Sequence, residues 1–237
     1  MSKPIRALLL SAGLGTRLKP ITNEIPKCLV QVDAKPILEN WICKLENIGC
    51  EAVLVNTHHF HEKVNDFISK RPKSKIYLKE KYEKKLLGTV GTLIENSNFF
   101  KNSKILMIHA DNMTNFNLNE LIEADKKRPK YCSFTMLTFN TDSPKNSGIV
   151  LKDEQNVVRN FYEKVEEPPS KVANAAIYIF DYEFIKKLKL HYPLAKDFSE
   201  EIIPKFLGKI FTHHTNELLI DIGTIEGLAK ARHYFGN

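Results

Sequence analysis

The chain has 237 residues, of which 43% are apolar and 27% are charged, and its formal net charge is +7. A chain of this length buries about 70–75% of its unfolded surface, so this composition excludes a disordered or fibrous protein. Its four cysteines form no Cys-x-x-Cys pair, which argues against a zinc ribbon or a redox pair. Residues 7–10 are too short an apolar run for a signal peptide or a membrane span, so we expect a cytoplasmic protein without a membrane partner.

The positive charge is concentrated in residues 62–85, which contain nine basic and four acidic residues. Lysines outnumber arginines 29 to 6 in the whole chain, although arginine is the residue that reads bases and phosphates bidentately. The lysines also lack the interleaved aromatic side chains of a nucleic-acid stacking platform. We therefore expect a solvated, lysine-rich face and no nucleic-acid partner, with nucleic-acid binding kept as a minority hypothesis.

Short apolar runs alternate with segments of helical period in the first half of the chain. The predicted strands are residues 5–11, 51–56, 76–78 and 104–109, and the predicted helices are residues 36–48 and 60–69. This alternation predicts a Rossmann-like α/β fold, with a mostly parallel mixed sheet flanked by helices. Ligands bind beyond the carboxyl ends of such strands, so we expect the chemistry in loops 11–27 and 110–115.

The pattern changes after residue 130, where strands follow one another without long helices between them. The predicted strands there are residues 133–138, 148–151, 157–161 and 175–180, and the predicted helices are residues 182–190, 199–207 and 224–234. No linker or repeat interrupts the chain. We expect one α/β domain with a small, β-rich lobe.

A glycine-rich segment, SAGLGTRLKP, follows the first predicted strand. Gly13 and Gly15 let the backbone approach an anion, and the turn leads into a predicted helix start. The segment is not a Walker A loop, and Leu18 stands where a dinucleotide-binding loop needs its third glycine. With Arg17 inside the loop and Lys27 ten residues beyond it, the pattern suits a triphosphate.

Longer motifs make a specific resemblance. The runs GLGTRLKPIT and IPKCLVQVDAKPIL resemble the opening of the sugar-nucleotide pyrophosphorylases, the sugar-1-phosphate nucleotidyltransferases, and look closest to members that act as mannose-1-phosphate guanylyltransferases. Further similar motifs follow in order: LLGTVG (86–91), HADN (109–112), SGIV (147–150), FYEK (161–164), NAAIY (174–178) and LIDIGT (219–224). The resemblance covers residues 5 to about 230 and implies the GT-A-like fold of that family.

The resemblance implies three sets of site residues. The nucleotide would be bound by Ala12, Gly13, Gly15, Thr16, Arg17, Lys27, Glu83, Gly88 and Thr89. The sugar phosphate would be bound by Asn112, Gly148, Glu163, Lys164 and Asn174, and Mg²⁺ by Asp111 and Asp221. Arg17, Lys27 and Asp111 would be catalytic. Each aspartate taken alone is equally well explained as a turn or helix-cap residue.

The implied reaction is the Mg²⁺-dependent transfer of a nucleotidyl group from a nucleoside triphosphate to a sugar 1-phosphate, which releases pyrophosphate. Glu83 stands where the family places a base-reading side chain. A carboxylate only accepts hydrogen bonds, and guanine offers two adjacent donors, so Glu83 favours GTP. The alternative for Glu83 is a solvated acid. Thymidylyl, uridylyl or cytidylyl transfer, to another sugar or alcohol phosphate, and a catalytically silent regulatory subunit stay open, as does a homo-oligomer.

The implied organisation is a single nucleotidyltransferase domain over residues 1–237. Its nucleotide-binding part would be about 1–130, its sugar-binding part about 131–220 and its C-terminal helix 224–236. We expect a minimal catalytic unit without a C-terminal β-helix. His58, His59 and His61 imitate a metal-binding cluster, but two of them are adjacent, and we expect capping or surface side chains instead.

Overall fold

The computed structural model describes residues 3–72 and 74–236, so Lys73 of the lysine-rich stretch lies outside the described residues. Two compact units are present. The first unit comprises Pro4–Leu86, Ile108–Asn115 and residues 218–236, and the second comprises Leu87–Met107 and Phe116–Glu217. The chain passes repeatedly between them, so the expected division near residue 130 is not the division into units. The single nucleotidyltransferase domain stays a prediction.

The helices and strands have the following bounds in chain order. The strands are β1 (Ile5–Leu10), β2 (Gln31–Val32), β3 (Lys35–Pro36), β4 (Ala52–Thr57), β5 (Tyr77–Tyr82), β6 (Lys104–His109), β7 (Asn112–Thr114), β8 (Phe134–Asn140), β9 (Gly148–Lys152), β10 (Val158–Glu163), β11 (Val172–Asp181), β12 (Ile210–Thr215) and β13 (Leu219–Asp221). The α-helices are α1 (Ile37–Asn47), α2 (His61–Lys70), α3 (Gly88–Glu95), α4 (Leu118–Lys126), α5 (Tyr182–His191) and α6 (Ile225–Phe235).

The first unit is built on three parallel strands. β1 pairs with β4, and β4 pairs with β5, with Leu10, Asn56 and Lys81 in register across the three. Ala7, Leu8 and Leu9 of β1 and the aliphatic residues of β4 are buried, and α2 contacts β5. Because the strands are parallel, their carboxyl ends share one edge, which is where the loops predicted to carry the chemistry begin.

The second unit contains the mixed, β-rich part of the fold. β11 is antiparallel to β8 and β9, β10 is antiparallel to β9, and β12 is parallel to β8. Helices α4 and α5 contact β11. The α/β class, with parallel and mixed strands flanked by helices and a β-rich part, is therefore confirmed.

The helix predicted at residues 199–207 is wrong. A π-helical turn, Phe198–Ile202, is followed by a 3₁₀ turn, Ile203–Phe206. Pro204 has no backbone N–H to donate and prevents a regular α-helix from continuing. The segment is instead held by aromatic packing, because the rings of Phe198 and Phe206 lie 5.4 Å and 6.2 Å from that of Phe134.

The histidine and lysine predictions can be compared with the structure. In the described part of the chain, no group of three or more His, Cys, Asp or Glu side chains is placed to hold a metal ion. His61 stacks on Tyr82 at 3.9 Å between ring centroids. The lysines of the basic stretch whose side chains are exposed are Lys63, Lys70, Lys75, Lys79, Lys84 and Lys85.

Among the described residues, no helix combines the length and apolar character that crossing a bilayer requires.

A buried carboxylate organises the surface of α4 in the second unit. The Asp125 side chain is fully buried and accepts hydrogen bonds from Thr135 Oγ1 at 2.6 Å and Arg128 Nε at 2.8 Å. Lys104 Nζ also donates to it. The buried charge is thus compensated from three directions, which makes it costly to remove one partner.

We expect Asp125→Ala to lower the free energy of unfolding by about 3 kcal/mol or more, because Thr135 and two cations lose a shared buried partner. Glu123→Ala on the same helix is the matched control. Its pair with Lys126 is 63% exposed on both sides and contributes at most about 0.5 kcal/mol. Urea unfolding of both variants measures the difference, and equal losses would show that the Asp125 network contributes nothing special.

Candidate active site

Lys27 lies between two carboxylates in the first unit. Its Nζ is 2.6 Å from Asp111 Oδ2 and 3.4 Å from Asp221 Oδ1, and only 10% of its side chain is exposed. Arg17 Nη2 lies 3.9 Å from Asp221 Oδ2, with 68% of its side chain exposed. The structure therefore brings together four of the predicted site residues, two cations and two anions.

A short antiparallel ladder holds the two aspartates side by side. β7 pairs with β13 so that Asn112 is opposite Asp221, and the backbone N–H of Ile222 donates to Asp111 O at 3.0 Å. Asn112 is buried, and its carbonyl accepts a hydrogen bond of 2.8 Å from Trp41 Nε1. Two segments that are distant in sequence are thereby fixed at one place.

The glycine-rich loop is more compact than the sequence predicts. The expected helix after it is a single 3₁₀ turn, Thr16–Leu18, followed by a second turn, Ile21–Asn23. Gly15 has a φ of 66°, and Thr22 Oγ1 donates to its carbonyl at 2.7 Å. Gly13 is exposed and Ala12 is buried. The exposed backbone at Gly13 suits an approaching phosphate, whereas no long helix stands behind it.

The charges in this cluster keep Asp111 ionised. Burial raises the pKa of Asp111, but the charge of Lys27 and the hydrogen bond from Lys27 outweigh burial and hold that pKa below its ordinary value. Burial raises the pKa of the neighbouring Cys28 thiol to about 12. Cys28 therefore stays a neutral thiol at neutral pH and is no nucleophile in this site.

The donor set suits a hard divalent cation. Asp111 Oδ2 and Asp221 Oδ1 lie 2.6 Å and 3.4 Å from the same nitrogen, so the two oxygens are at most 6.0 Å apart. Opposite oxygen ligands of Mg²⁺ are about 4 Å apart, a separation that small side-chain rotations reach. Two carboxylates supply part of a shell that phosphate oxygens and water complete.

Gly223 is a site residue that the sequence reasoning did not include. A Cβ at this position would lie 2.7 Å from Lys27 Nζ, 2.8 Å from Asp221 Oδ1 and 3.0 Å from Arg17 Nη2. Its backbone N–H donates to Asp221 Oδ1 at 2.7 Å. The glycine immediately after the Asp-Ile pair in LIDIGT was the available signal, but only the fold shows what it faces.

Glu83 is buried at the end of β5, with 3% of the residue exposed, so the alternative of a solvated acid is wrong. Asn56 Nδ2 donates to Glu83 Oε1 at 3.1 Å. Its backbone is held on both sides, because Glu83 N donates to Thr57 O at 2.8 Å and His58 Nδ1 contacts Glu83 O at 2.7 Å. Its predicted role in reading the base stays a prediction.

The second unit holds most of the residues predicted for the sugar phosphate. Gly148 is paired with Glu163 across β9 and β10, and a Cβ on Gly148 would lie 2.6 Å from Glu163 Oε2. Lys164 has a φ of 50°, and its Nζ lies 3.3 Å from Glu163 Oε1 with 63% of the side chain exposed. Gly148 thus leaves room for a carboxylate that lies beside an exposed cation.

Asn174 shapes an irregularity in β11. Its Nδ2 donates to the Tyr178 hydroxyl at 2.6 Å, and its Oδ1 accepts from Ala176 N at 2.9 Å. The pairing register with β8 shifts between Asn174 and Tyr178, and Ala176 adopts a φ of 54°. Burial raises the pKa of Tyr178, so its hydroxyl stays protonated. The predicted role of Asn174 toward a ligand stays a prediction beside this structural one.

The expected second glycine-rich loop at residues 86–91 is largely helix, since α3 begins at Gly88. Thr89 Oγ1 accepts from Phe198 N at 2.7 Å, and Val90 N donates to Lys196 O at 2.9 Å. The start of α3 is therefore engaged by residues 196–198 of its own unit. A direct contact of Gly88 or Thr89 with a nucleotide stays a prediction.

The chain belongs to the nucleotidyl transferase family, whose sequence profile matches residues 6–235. This confirms the resemblance drawn from the motifs. The paired aspartates, Lys27, Arg17 and the glycine-rich loop all lie in the first unit of this chain.

Named relatives extend the comparison. The mannose-1-phosphate guanylyltransferase catalytic subunit beta of Drosophila pseudoobscura pseudoobscura is 30% identical over 188 residues, 78% of this chain and 50% of the relative. The UTP–glucose-1-phosphate uridylyltransferase of Synechocystis is 26% identical over 76% of this chain and 50% of its own. HddC from Yersinia pseudotuberculosis, crystallised with GMP-PN, has a TM-score of 0.80 at 25% identity and covers 97% of this chain and 99% of its own. The chain spans about half the length of the guanylyltransferase and uridylyltransferase relatives and nearly all of HddC.

We expect Gly223→Ala to weaken divalent-cation binding about tenfold or more, because the added methyl group pushes Lys27 and Asp221 out of position. Titration with Mn²⁺ followed by electron paramagnetic resonance measures this affinity. Gly91→Ala in α3 adds the same methyl group within the second unit and should leave the affinity unchanged. An unaltered Mn²⁺ affinity in Gly223→Ala would remove Gly223 from the site.

Proposed function

We infer that the protein transfers a guanylyl group from GTP to a sugar 1-phosphate, mannose 1-phosphate or a related hexose or heptose phosphate, and releases pyrophosphate. This inference rests on one observation: Asp111 and Asp221 both contact Lys27, and Arg17 lies next to Asp221. Membership of the nucleotidyl transferase family supports the reaction type. A cytoplasmic location, a homo-oligomer and the absence of a nucleic-acid partner stay predictions.

The reaction joins two anions, so charge neutralisation and positioning supply most of the rate. Arg17 presents a planar fork for phosphate oxygens from an exposed position, and Lys27 supplies a charge from a nearly buried side chain. Gly13 offers open backbone to the phosphates. Asp111 and Asp221 would hold Mg²⁺, which neutralises phosphate charge and favours departure of pyrophosphate.

The second unit supplies a matching anion site. Lys164 would bind the phosphate of the sugar 1-phosphate, and Glu163 would accept hydrogen bonds from sugar hydroxyls. Gly148 gives the Glu163 carboxylate the room that it occupies. The Lys164 ammonium is 63% exposed and lies 3.3 Å from a Glu163 carboxylate oxygen, so its charge remains accessible to a phosphate.

Guanine is the base that Glu83 favours. A carboxylate presents only acceptors, and guanine has adjacent N1–H and N2–H₂ donors, whereas uracil and thymine place one donor between two acceptors. Burial of Glu83 strengthens the discrimination, because an unpaired hydrogen-bonding group costs more away from water. The names of the guanylyltransferase relative and of the GMP-PN complex agree with this choice, and the uridylyltransferase relative keeps UTP as the alternative.

A catalytically silent, nucleotide-binding subunit is the alternative from another class. Such a protein needs no complete set of charged groups. Here Arg17, Lys27, Asp111 and Asp221 are all present and assembled within the first unit. An intact cluster of this kind favours the enzyme.

The decisive assay measures pyrophosphate release from GTP, UTP, dTTP and CTP with a panel of sugar 1-phosphates and Mg²⁺. We expect turnover with GTP to exceed the others. No turnover with any pair would support the silent subunit, and a preference for UTP or dTTP would overturn the guanine assignment alone.

We expect Asp111→Asn and Asp221→Asn each to lower kcat about 10²- to 10³-fold, because a carboxylate that would hold Mg²⁺ and that contacts Lys27 becomes a neutral amide. Glu226→Gln, an exposed acid in the first turn of α6, is the matched control and should turn over normally. Thermal unfolding checks that the variants are folded. Near-normal turnover of either aspartate variant at saturating Mg²⁺ would remove that residue from the site.

We expect Lys164→Met to raise KM for the sugar 1-phosphate about tenfold or more while KM for GTP stays unchanged, since the variant loses a phosphate-binding charge. Lys145→Met is the control, because Lys145 is 65% exposed and its neighbour is an acid, Glu166, that is 95% exposed. Initial-rate kinetics with each substrate varied in turn separates the two constants. An increase in KM for GTP alone would move Lys164 out of the sugar-phosphate site.

A further inference from the structure

Asn56 connects the carboxyl ends of all three parallel strands of the first unit. It is buried in β4, with 3% of the residue exposed. Its Oδ1 accepts a hydrogen bond of 2.7 Å from Ser11 N, the first residue after β1. Its Nδ2 donates a hydrogen bond of 3.1 Å to Glu83 Oε1, the first residue after β5. One amide group thus joins the start of the glycine-rich loop to the predicted base-reading side chain.

The orientation of this amide is fixed by chemistry. A backbone N–H can only donate, so the atom of Asn56 that faces Ser11 must be the oxygen. The Asn56 NH₂ group must then face position 83, and whatever side chain stands there must present an acceptor to it. Glu83 meets this requirement with one of the roughly four lone-pair sites of its carboxylate.

The geometry points to Asn56 as the positioning residue that sets the nucleotide preference, by fixing which hydrogen-bonding group of residue 83 is presented to the base. This inference rests on the proposed function and deepens it. Because the Asn56 NH₂ group anchors one acceptor, the side chain at position 83 has a single orientation. A carboxylate so held offers acceptors toward guanine N1–H and N2–H₂.

The backbone of Glu83 is held separately from its side chain. The N–H of Glu83 is bound to Thr57 O, and its carbonyl is in contact with His58 Nδ1. Both backbone groups are therefore engaged by the segment that follows Asn56. Position and direction of the main chain at residue 83 are set by β4, and Asn56 adds the orientation of the carboxylate.

Two variants with nearly unchanged shape invert the polarity of this contact. Asn56→Asp keeps an acceptor for Ser11 N but replaces the donor toward Glu83 by a second carboxylate oxygen. Glu83→Gln keeps an acceptor for Asn56, so its new NH₂ group must face the base. The double variant, Asn56→Asp with Glu83→Gln, reverses the amide at position 83, because that NH₂ group now donates to the new carboxylate and its oxygen faces the base.

Equilibrium displacement of mant-GTP by GTP, UTP, dTTP and CTP measures the preference without needing turnover. We expect Asn56→Asp to weaken GTP binding about tenfold or more, and Glu83→Gln to abolish the preference for GTP over UTP and dTTP. The double variant should regain part of that preference. Thr135→Val, which also removes one buried hydrogen bond between side chains, controls for lost stability and should keep the wild-type preference.

Several results would overturn the inference. They are wild-type protein that binds the four nucleotides equally, the same preference in Glu83→Gln and in the double variant, and Asn56→Asp that lowers the melting temperature without changing the preference. Failure of the proposed function has a different signature, since nucleotide preference would persist while no sugar 1-phosphate releases pyrophosphate. Where turnover is present, Asn56→Asp should raise KM for GTP by a larger factor than it lowers kcat.

Discussion

The ion cluster of Lys27, Asp111 and Asp221 is the constraint on which the site depends. Two carboxylates whose oxygens are at most 6.0 Å apart repel each other unless a cation lies between them. Lys27 supplies that charge from a nearly buried position. Under the proposed function the same two carboxylates would hold Mg²⁺, which would compensate their charge and leave that of Lys27 to a phosphate. Metal binding and nucleotide binding would then be coupled through one side chain.

Much of the first unit serves to hold this cluster. The ladder between β7 and β13 aligns the aspartates, and Gly223 brings backbone within contact distance of Lys27, Asp221 and Arg17. Gly227, in the first turn of α6, packs against the backbone of Asp221, since a Cβ there would clash with Asp221 O. Close packing of backbone against these charged groups restricts the positions that their side chains can adopt, at a cost in side-chain entropy.

The sequence predicted the parts of this arrangement that follow from local pattern. Apolar runs gave β1, β4 and β6, and the motifs identified Arg17, Lys27, Asp111 and Asp221 as one site. Gly223 was missed because its importance comes largely from Arg17 and Lys27, which are distant in sequence. The apolar residues of 199–207 have helical spacing, which is why an α-helix was expected there. Pro204 and the contacts of the aromatic rings instead favour a π-helical turn followed by a 3₁₀ turn.

The burial of Glu83 could not be predicted from the composition of the segment around it. Residues 62–85 are so rich in lysine that a solvated acid was a reasonable interpretation. Parallel pairing with β4 instead places Glu83, the residue after β5, beside the buried Asn56, which binds its carboxylate. A buried acceptor that is left unpaired costs about 1–3 kcal/mol, whereas the same group in water loses almost nothing. Under the proposed function, selectivity between bases would therefore depend on the fold that removes Glu83 from water as much as on the carboxylate itself.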